Sequence, residues 1–289
     1  MAGQLPMDFD TVHKNIVIIP DADPNTVGAF VWWTLNGELN LSNLEANWHQ
    51  ELSKYPLPAP PSEATALRRA VMELQKQRRL ARSLPDDRSG YAIVDESPDP
   101  VTTLSYNVAL QVWNEKGTLY FNPLDHPLRN TITTAYDRHL VTIGSDDVRH
   151  WLTHKVLPLA LAVTLRQGGG VYFIPDRCIR DFRLILHGIK SASAHRIFAV
   201  PAQRSEDAVA GVLDAICTET EDEIEQMNKK LNEEGLGKRA LNTQLGHCNQ
   251  QIEKLKRYEE LLGTKQNVIT DRLMLLRAQF TEAMLREDT

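Results

Sequence analysis

The spacing of apolar positions along this chain changes period several times, and each change marks an element. Ile16 to Ile19 is a β-branched run closed by Pro20 and reads as one buried strand. The stretch VGAFVWWTL, with Asn25 ahead of it as a cap, predicts a helix. Ser42 ahead of NLEANWHQEL predicts a second helix. Ser62 ahead of ATALRRAVMELQKQRRLA predicts a third, after the proline-rich link YPLPAPP. From Tyr91 the period becomes two. YAIVDE leads into TTLSYNVALQVW, where Leu104, Tyr106, Val108, Leu110 and Val112 alternate with more polar neighbours, and the Asn114 to Gly117 turn returns the chain into TLYF. That pattern predicts an antiparallel meander of roughly three strands.

Helical spacing returns in TITTAYDRHL, and Ser145 with Asp146 and Asp147 marks a helix start that carries on through WLTHKVLPLALAVTLR, bent at Pro158. Gly168, Gly169 and Gly170 follow, then the strand VYFIP, the helix DRCIRDFRLILHGI, the strand HRIFAV and a helix opened by Ser205. A phosphate-cradling loop needs a strand, glycines and a helix N-terminus in that order. Here a helix precedes and a strand follows, so the glycines read as a helix cap and a reversal.

The longest periodic pattern comes last. Leu245, Cys248, Ile252, Leu255, Glu259, Leu262, Gln266, Ile269, Leu273, Leu276, Phe280 and Ala283 recur at alternating steps of three and four, the spacing of a coiled-coil seam. A looser series, Val209, Leu213, Ile216, Ile224, Met227 and Leu231, precedes it across the glycine-containing break Glu233 to Gly237, which predicts an antiparallel helical hairpin. The fold expected is therefore α+β: an N-terminal helical and antiparallel-sheet region over 1–125, a second α/β region over 126–204, and a long C-terminal antiparallel coiled-coil hairpin over 205–289.

Composition narrows the setting. With 289 residues, 42% of them hydrophobic, the chain can bury a core without disulfide or metal staples. The net charge of −6 resides in residues 205–289, while 1–204 carry equal numbers of acids and bases, so nothing pulls the whole chain toward nucleic acid or anionic lipid. Cys178, Cys217 and Cys248 are far apart, the start lacks a signal-peptide pattern, and the apolar stretch Val156 to Leu165 is too short to span a bilayer. A cytoplasmic protein with no membrane partner is expected.

Candidate chemistry is sparse. Arg68, Arg69, Lys76, Arg78, Arg79 and Arg82 stand against the single acid Glu73 on the third predicted helix and form the best candidate for nucleic-acid or anion contact. Arg177, Arg180 and Arg183 recur every three residues on a later helix and can extend such a patch. Solvated or ion-paired surface arginines are the commoner outcome for both. His150 and His154 share one helical face, yet lack a glutamate base and a third ligand, so no metal and no cofactor is expected. The five tryptophans could stack bases, but most lie in apolar patterns that predict packing. No serine or cysteine sits in a nucleophile elbow, and no catalytic residue is assigned.

GGGVYFIP with the helix after it, the AVPA strand and SEDAVAGVLDAI together resemble an uncharacterised family of prokaryotic and phage-associated proteins, over Trp151 to Ile216. The resemblance implies a cytoplasmic microbial context and carries no site residue. Three readings follow. The first is a non-enzymatic assembly or adaptor protein contacting itself or another protein through the seam residues Leu245, Ile252, Leu255, Leu262, Ile269, Leu273, Leu276 and Phe280. The second is DNA or RNA binding through the basic helix 66–82. The third is a phosphate- or nucleotide-handling enzyme using the arginines beside the glycine turn.

Overall fold

A computed structural model of the protein describes residues 25–74, 79–85, 89–98, 104–166, 168–232 and 237–286. The strand expected at Ile16 to Ile19 lies outside them. In chain order the elements are β1 (Thr26–Thr34), β2 (Glu38–Asn40), α1 (Leu41–Ala46), α2 (Glu63–Met72), β3 (Arg79–Ser83), β4 (Gly90–Pro98), β5 (Leu104–Glu115), β6 (Thr118–Asn122), α3 (Leu128–Leu140), β7 (Thr142–Gly144), α4 (Ser145–Trp151), β8 (Val163–Thr164), β9 (Tyr172–Pro175), α5 (Asp176–Ala192), β10 (Arg196–Gln203), α6 (Glu206–Leu231), α7 (Lys238–Leu262) and α8 (Asn267–Arg286). All the strand pairings among the described residues are antiparallel, and the class is α+β.

The central strand is β1, the stretch expected as a helix. Periodicity cannot separate a short buried strand from a buried helix. Its valines, phenylalanine and tryptophans suit a pleated surface, and a strand flanks it on each side, which decides the matter. β1 pairs with β10 from Thr26↔Gln203 to Thr34↔Arg196 and with β9 from Gly28↔Pro175 to Val31↔Tyr172, in the order β10-β1-β9-β8. Asn25 caps no helix; its carbonyl accepts from Arg204 N at 2.7 Å.

One face of this sheet packs on α1, α4 and α5 through Ala29, Val31, Ile174, Phe182 and Ile185. The other face, with Val27, Phe173 and Ala202, packs on α6, α7 and α8. A third core joins α2 and α3 to a second sheet, β3-β4-β5-β6, through Leu67, Val71, Ile93, Leu110, Val112 and Ile132. Residues 63–140, which carry this third core, lie between β2 and β7, which pair with each other. The cores thus group the chain differently from the expected boundaries at 125 and 204.

Several boundaries move for local reasons. α1 is capped by Asn40, whose Oδ1 accepts from Asn43 N at 2.9 Å, so Ser42 lies inside the helix. Ser62 caps α2 as expected, but the helix stops at Met72, and Arg79 and Arg82 belong to β3. The meander gains that fourth strand. A bulge in β5 shifts the register between Ile93↔Leu110 and Val94↔Val108, turning Val108 to the opposite face from Leu110 and leaving it 59% exposed. After α4 a π-helical turn, Leu152–Val156, ends the helix, and β8 begins at Val163, inside the stretch expected to stay helical. Gly168, Gly169 and Gly170, with φ of 83°, 82° and 100°, therefore close a β8–β9 hairpin, where only glycine adopts such angles without strain.

The C-terminal pattern folds as three helices. The seam stops at Gly263, a left-handed C-cap with φ 69°, and resumes in α8. The second helix of the expected hairpin is therefore two helices, and α6, α7 and α8 share one core with the central sheet.

Candidate functional site

A network of charged groups lies where residues 63–140 join the rest. His139, at the end of α3, is 5% exposed. Its Nε2 lies 3.0 Å from Glu73 Oε1 and its Nδ1 3.5 Å from Glu38 Oε1, so one imidazole faces a carboxylate at each nitrogen. Its neighbour Arg138 pairs with Glu73 and places Nε 3.5 Å from Glu38 Oε2. Thr142 donates to the Arg138 carbonyl at 3.0 Å or to Glu38 at 3.2 Å. Alongside, Arg69 meets Asp147 at 2.5 Å, and the same carboxylate accepts from Gly144 N at 3.1 Å. Glu38, Arg69, His139, Ser145, Asp146 and Asp147 line a cleft of about 270 Å³ there.

This arrangement is a polar latch. Glu38 sits on β2, Glu73 just past α2, Arg138 and His139 on α3, and Asp147 on α4, so the network ties the third core to the first. Glu38, Glu73 and His139 also offer three ligand-type atoms within 4.8 Å of one another. The guanidinium of Arg138 already sits against both carboxylates, so a divalent ion would have to displace it, and the groups fit an ion-pair network better than a metal centre.

Among the described residues the basic candidates do not gather into a patch. Arg68 is exposed on α2, Arg69 is held by Asp147, Arg79 lies 3.2 Å from Asp95, and Arg82 is exposed on β3. Lys76 and Arg78 lie outside the described residues. The physical cause is the end of α2 at Met72, which sends Arg79 and Arg82 to a different element. Of the second set, Arg180 pairs with Glu51 at 2.9 Å, Arg183 is half-buried, and Arg177 lines a cleft of about 250 Å³ with Asp176, Arg257 and Glu260. His150 and His154 are exposed neighbours, ring centroids 4.3 Å apart. Burial pushes the thiols of Cys178, Cys217 and Cys248 above their ordinary range, the opposite of an activated nucleophile.

The seam residues are accounted for internally. Ile252, Leu255, Leu262, Ile269, Leu273, Leu276 and Phe280 are buried in the second core, and Leu245 packs against it. Large apolar side chains remain exposed on α8, at Val268, Leu275 and Leu285, and on the central sheet. β10 is the end strand of its sheet, with no strand beyond it among the described residues. On its exposed face Phe198 is 43% and Val200 46% exposed. Trp32, directly opposite Phe198 on β1, stacks on it at 5.4 Å. From sequence alone HRIFAV reads as an ordinary strand. Apolar residues at both parities were a signal of a strand covered on both sides, but nothing local shows that it ends a sheet.

No curated protein and no solved structure matches the chain. A family model matches residues 26–289, from the start of β1 through all three cores, and the chain belongs to that family, the family of unknown function DUF6744.

Proposed function

We propose that the protein is a non-enzymatic assembly or adaptor component that docks through the outer edge of β10. What carries this reading is the coincidence of an end strand with exposed Phe198 and Val200 beside Trp32. Edge strands template further pairing, and large exposed apolar side chains on one mark a contact surface. The reading moves the contact from the helical seam, which the second core occupies, to the sheet. Pro201 lacks an N–H and limits pairing at its own position, leaving Ile197 to Val200 for an incoming strand. Sedimentation of the full chain and of the Phe198→Glu, Val200→Glu double variant across a concentration series tests it. Association of the former and a monomeric latter is expected; equal behaviour of the two overturns the edge as the contact.

A second reading, nucleic-acid binding, is favoured by one observation on the other sheet. Arg82, Ala92, Gln111 and Asn122 stand in one cross-strand row on the face away from the third core. In the next row Trp113 and Tyr120 stack at 5.7 Å, with Tyr120 43% exposed. Stacked aromatics, amides and a guanidinium on an open sheet suit unstacked bases and a phosphate. Titration of labelled single-stranded RNA and DNA at low salt tests it, with loss of binding in Tyr120→Ala and Arg82→Ala the expected result. No binding to the unaltered protein eliminates this reading.

A further inference from the structure

The outer edge of β10 specifies its occupant in some detail. Phe198 and Val200 project to one face and Ile197 and Ala199 to the other, where Ile197 and Ala199 belong to or pack on the first core. A strand laid beside Ile197 to Val200 therefore meets apolar neighbours on both faces and must be apolar at both parities. Arg196 is exposed at the start of β10, whereas Arg204, just past its end, already donates to the Leu261 carbonyl. An acidic residue at the Arg196 end of the incoming strand complements that charge.

The chain contains such a segment in its own sequence. Ile16, Val17, Ile18 and Ile19 are apolar at both parities, with Asp8 and Asp10 before them and Asp21 and Asp23 after. They precede the residues that the family model matches. We propose that Ile16 to Ile19 of one copy seats antiparallel on the β10 edge of a second copy, so that copies join by strand donation; the inference rests on the β10 edge being a docking surface. With Ile18 opposite Phe198, Ile16 falls opposite Val200, and both extend the exposed face around Trp32. Val17 and Ile19 then continue the face of Ala199 and Ile197, and Asp21 lies at the Arg196 end.

The corner at which the chain enters β1 favours a second copy over the same one. Asn25 is held beside Arg204, so the chain reaches β1 at the end where β10 stops. A segment leading into that corner from the outer edge of β10 would run in β10's own direction, giving parallel pairing, whose slanted bonds are slightly weaker. Donation from a second copy permits the antiparallel ladder used throughout this sheet. The contact is head-to-tail, so each added copy presents a fresh donor and a fresh acceptor.

Two full-length variants separate the halves of the contact. Val17→Pro, opposite Ala199 in this register, removes an N–H from the donor's side of the ladder. Phe198→Glu places a carboxylate on the acceptor, with Val200→Glu as a second acceptor variant should the first not fold. Sedimentation is expected to show concentration-dependent association of the unaltered protein and monomers for each variant alone. An equimolar mixture of Val17→Pro and Phe198→Glu keeps one intact acceptor and one intact donor, and is expected to give a dimer and nothing larger. If Val17→Pro associates as the unaltered protein does while Phe198→Glu does not, the edge docks something else and strand donation is overturned. If Phe198→Glu and Val200→Glu both associate normally, the edge reading itself fails. An unaltered protein that stays monomeric overturns donation as well; slow hydrogen exchange at residues 16–19 in that monomer assigns the strand to the same chain.

Discussion

The Tyr258 hydroxyl donates to the Leu161 carbonyl at 2.7 Å, and Leu161 holds a φ of 55° without being a glycine. A left-handed conformation at a leucine costs about 1–2 kcal/mol and persists only where its surroundings enforce it. The enforcement comes from α7. One turn before Tyr258, the Lys254 ammonium donates to the next carbonyl, Ala162, at 2.7 Å while pairing with Glu219 of α6. Two side chains of one helix thus fix the turn that leads into β8, and through it the glycine hairpin.

Removing the hydroxyl should loosen that turn. Tyr258→Phe leaves the ring, which packs 6.1 Å from Phe173, in place and strips the Leu161 carbonyl of its partner. Burial pushes the Tyr258 hydroxyl well above its ordinary pKa, so it donates as a neutral group at all working pH values. A loss of about 1–2 kcal/mol in urea unfolding is expected, with the m-value unchanged and faster amide exchange over residues 161–164. An unchanged midpoint shows that the hydroxyl is not what holds Leu161.

Glycines 28 and 211 give opposite outcomes for the same substitution. A Cβ on Gly28 would lie 2.3 Å from the Phe173 ring and 2.4 Å from the Ile174 carbonyl oxygen, since β9 packs directly beside β1 there. At Gly211, within α6, a Cβ meets nothing within 4 Å. Gly28→Ala should destabilise by about 1–3 kcal/mol through overpacking, whereas Gly211→Ala should stabilise by about 0.5–1 kcal/mol through helix propensity. Thermal unfolding of the pair checks both signs at once, and a stabilised Gly28→Ala would return this stretch to a non-strand assignment.

What was legible in the sequence follows the range of the forces involved. Ser62 and Ser205 caps, the β4–β5–β6 meander, α5 and β10 were readable because their signals lie within a few residues of the element. β1 was not, because its identity depends on β9 and β10, whose partner residues lie well over a hundred positions away. Of the heptad positions, Cys248, Ile252, Leu255, Leu262, Ile269, Leu273, Leu276 and Phe280 are buried, while the buried Tyr258 falls outside the pattern; steps of three and four cannot tell a seam between chains from the inside of a three-helix layer, and the Gly263 break keeps the same phase. The latch was invisible for a similar reason: Glu38, Glu73 and His139 meet only because the segment bearing the third core leaves at β2 and returns at β7.

The latch should govern how firmly residues 63–140 are attached. His139→Ala removes a buried ring from between two carboxylates and leaves Glu38 and Glu73 facing each other with Arg138 alone. A loss of about 2–3 kcal/mol is expected, from the cavity and the broken network. Because the third core has its own apolar contacts, protease cleavage within the Tyr55 to Pro61 link should accelerate more than cleavage inside the module. Uniform acceleration across the chain would mean that the latch supports global stability and not attachment.

The last prediction concerns acid. His195 is 4% exposed, and its Nδ1 accepts from Asn36 N at 3.1 Å, which requires an unprotonated Nδ1 and so, in the neutral ring, a proton on Nε2. Burial lowers its pKa below the ordinary value of 6.5, because a buried imidazolium forfeits its hydration. The unfolded chain therefore takes up a proton at a pH where the folded one resists it. Stability from this residue is complete above about pH 6.5 and falls away as the pH drops toward the folded-state value. The structural consequence is local: protonation would break the Asn36 contact that holds the β1–β2 turn against the start of β10. Urea midpoints measured between pH 7.5 and pH 5 should decline for the unaltered protein, and His195→Gln, which cannot titrate, should show a shallower decline. Parallel curves for the two proteins would rule out His195 as the source.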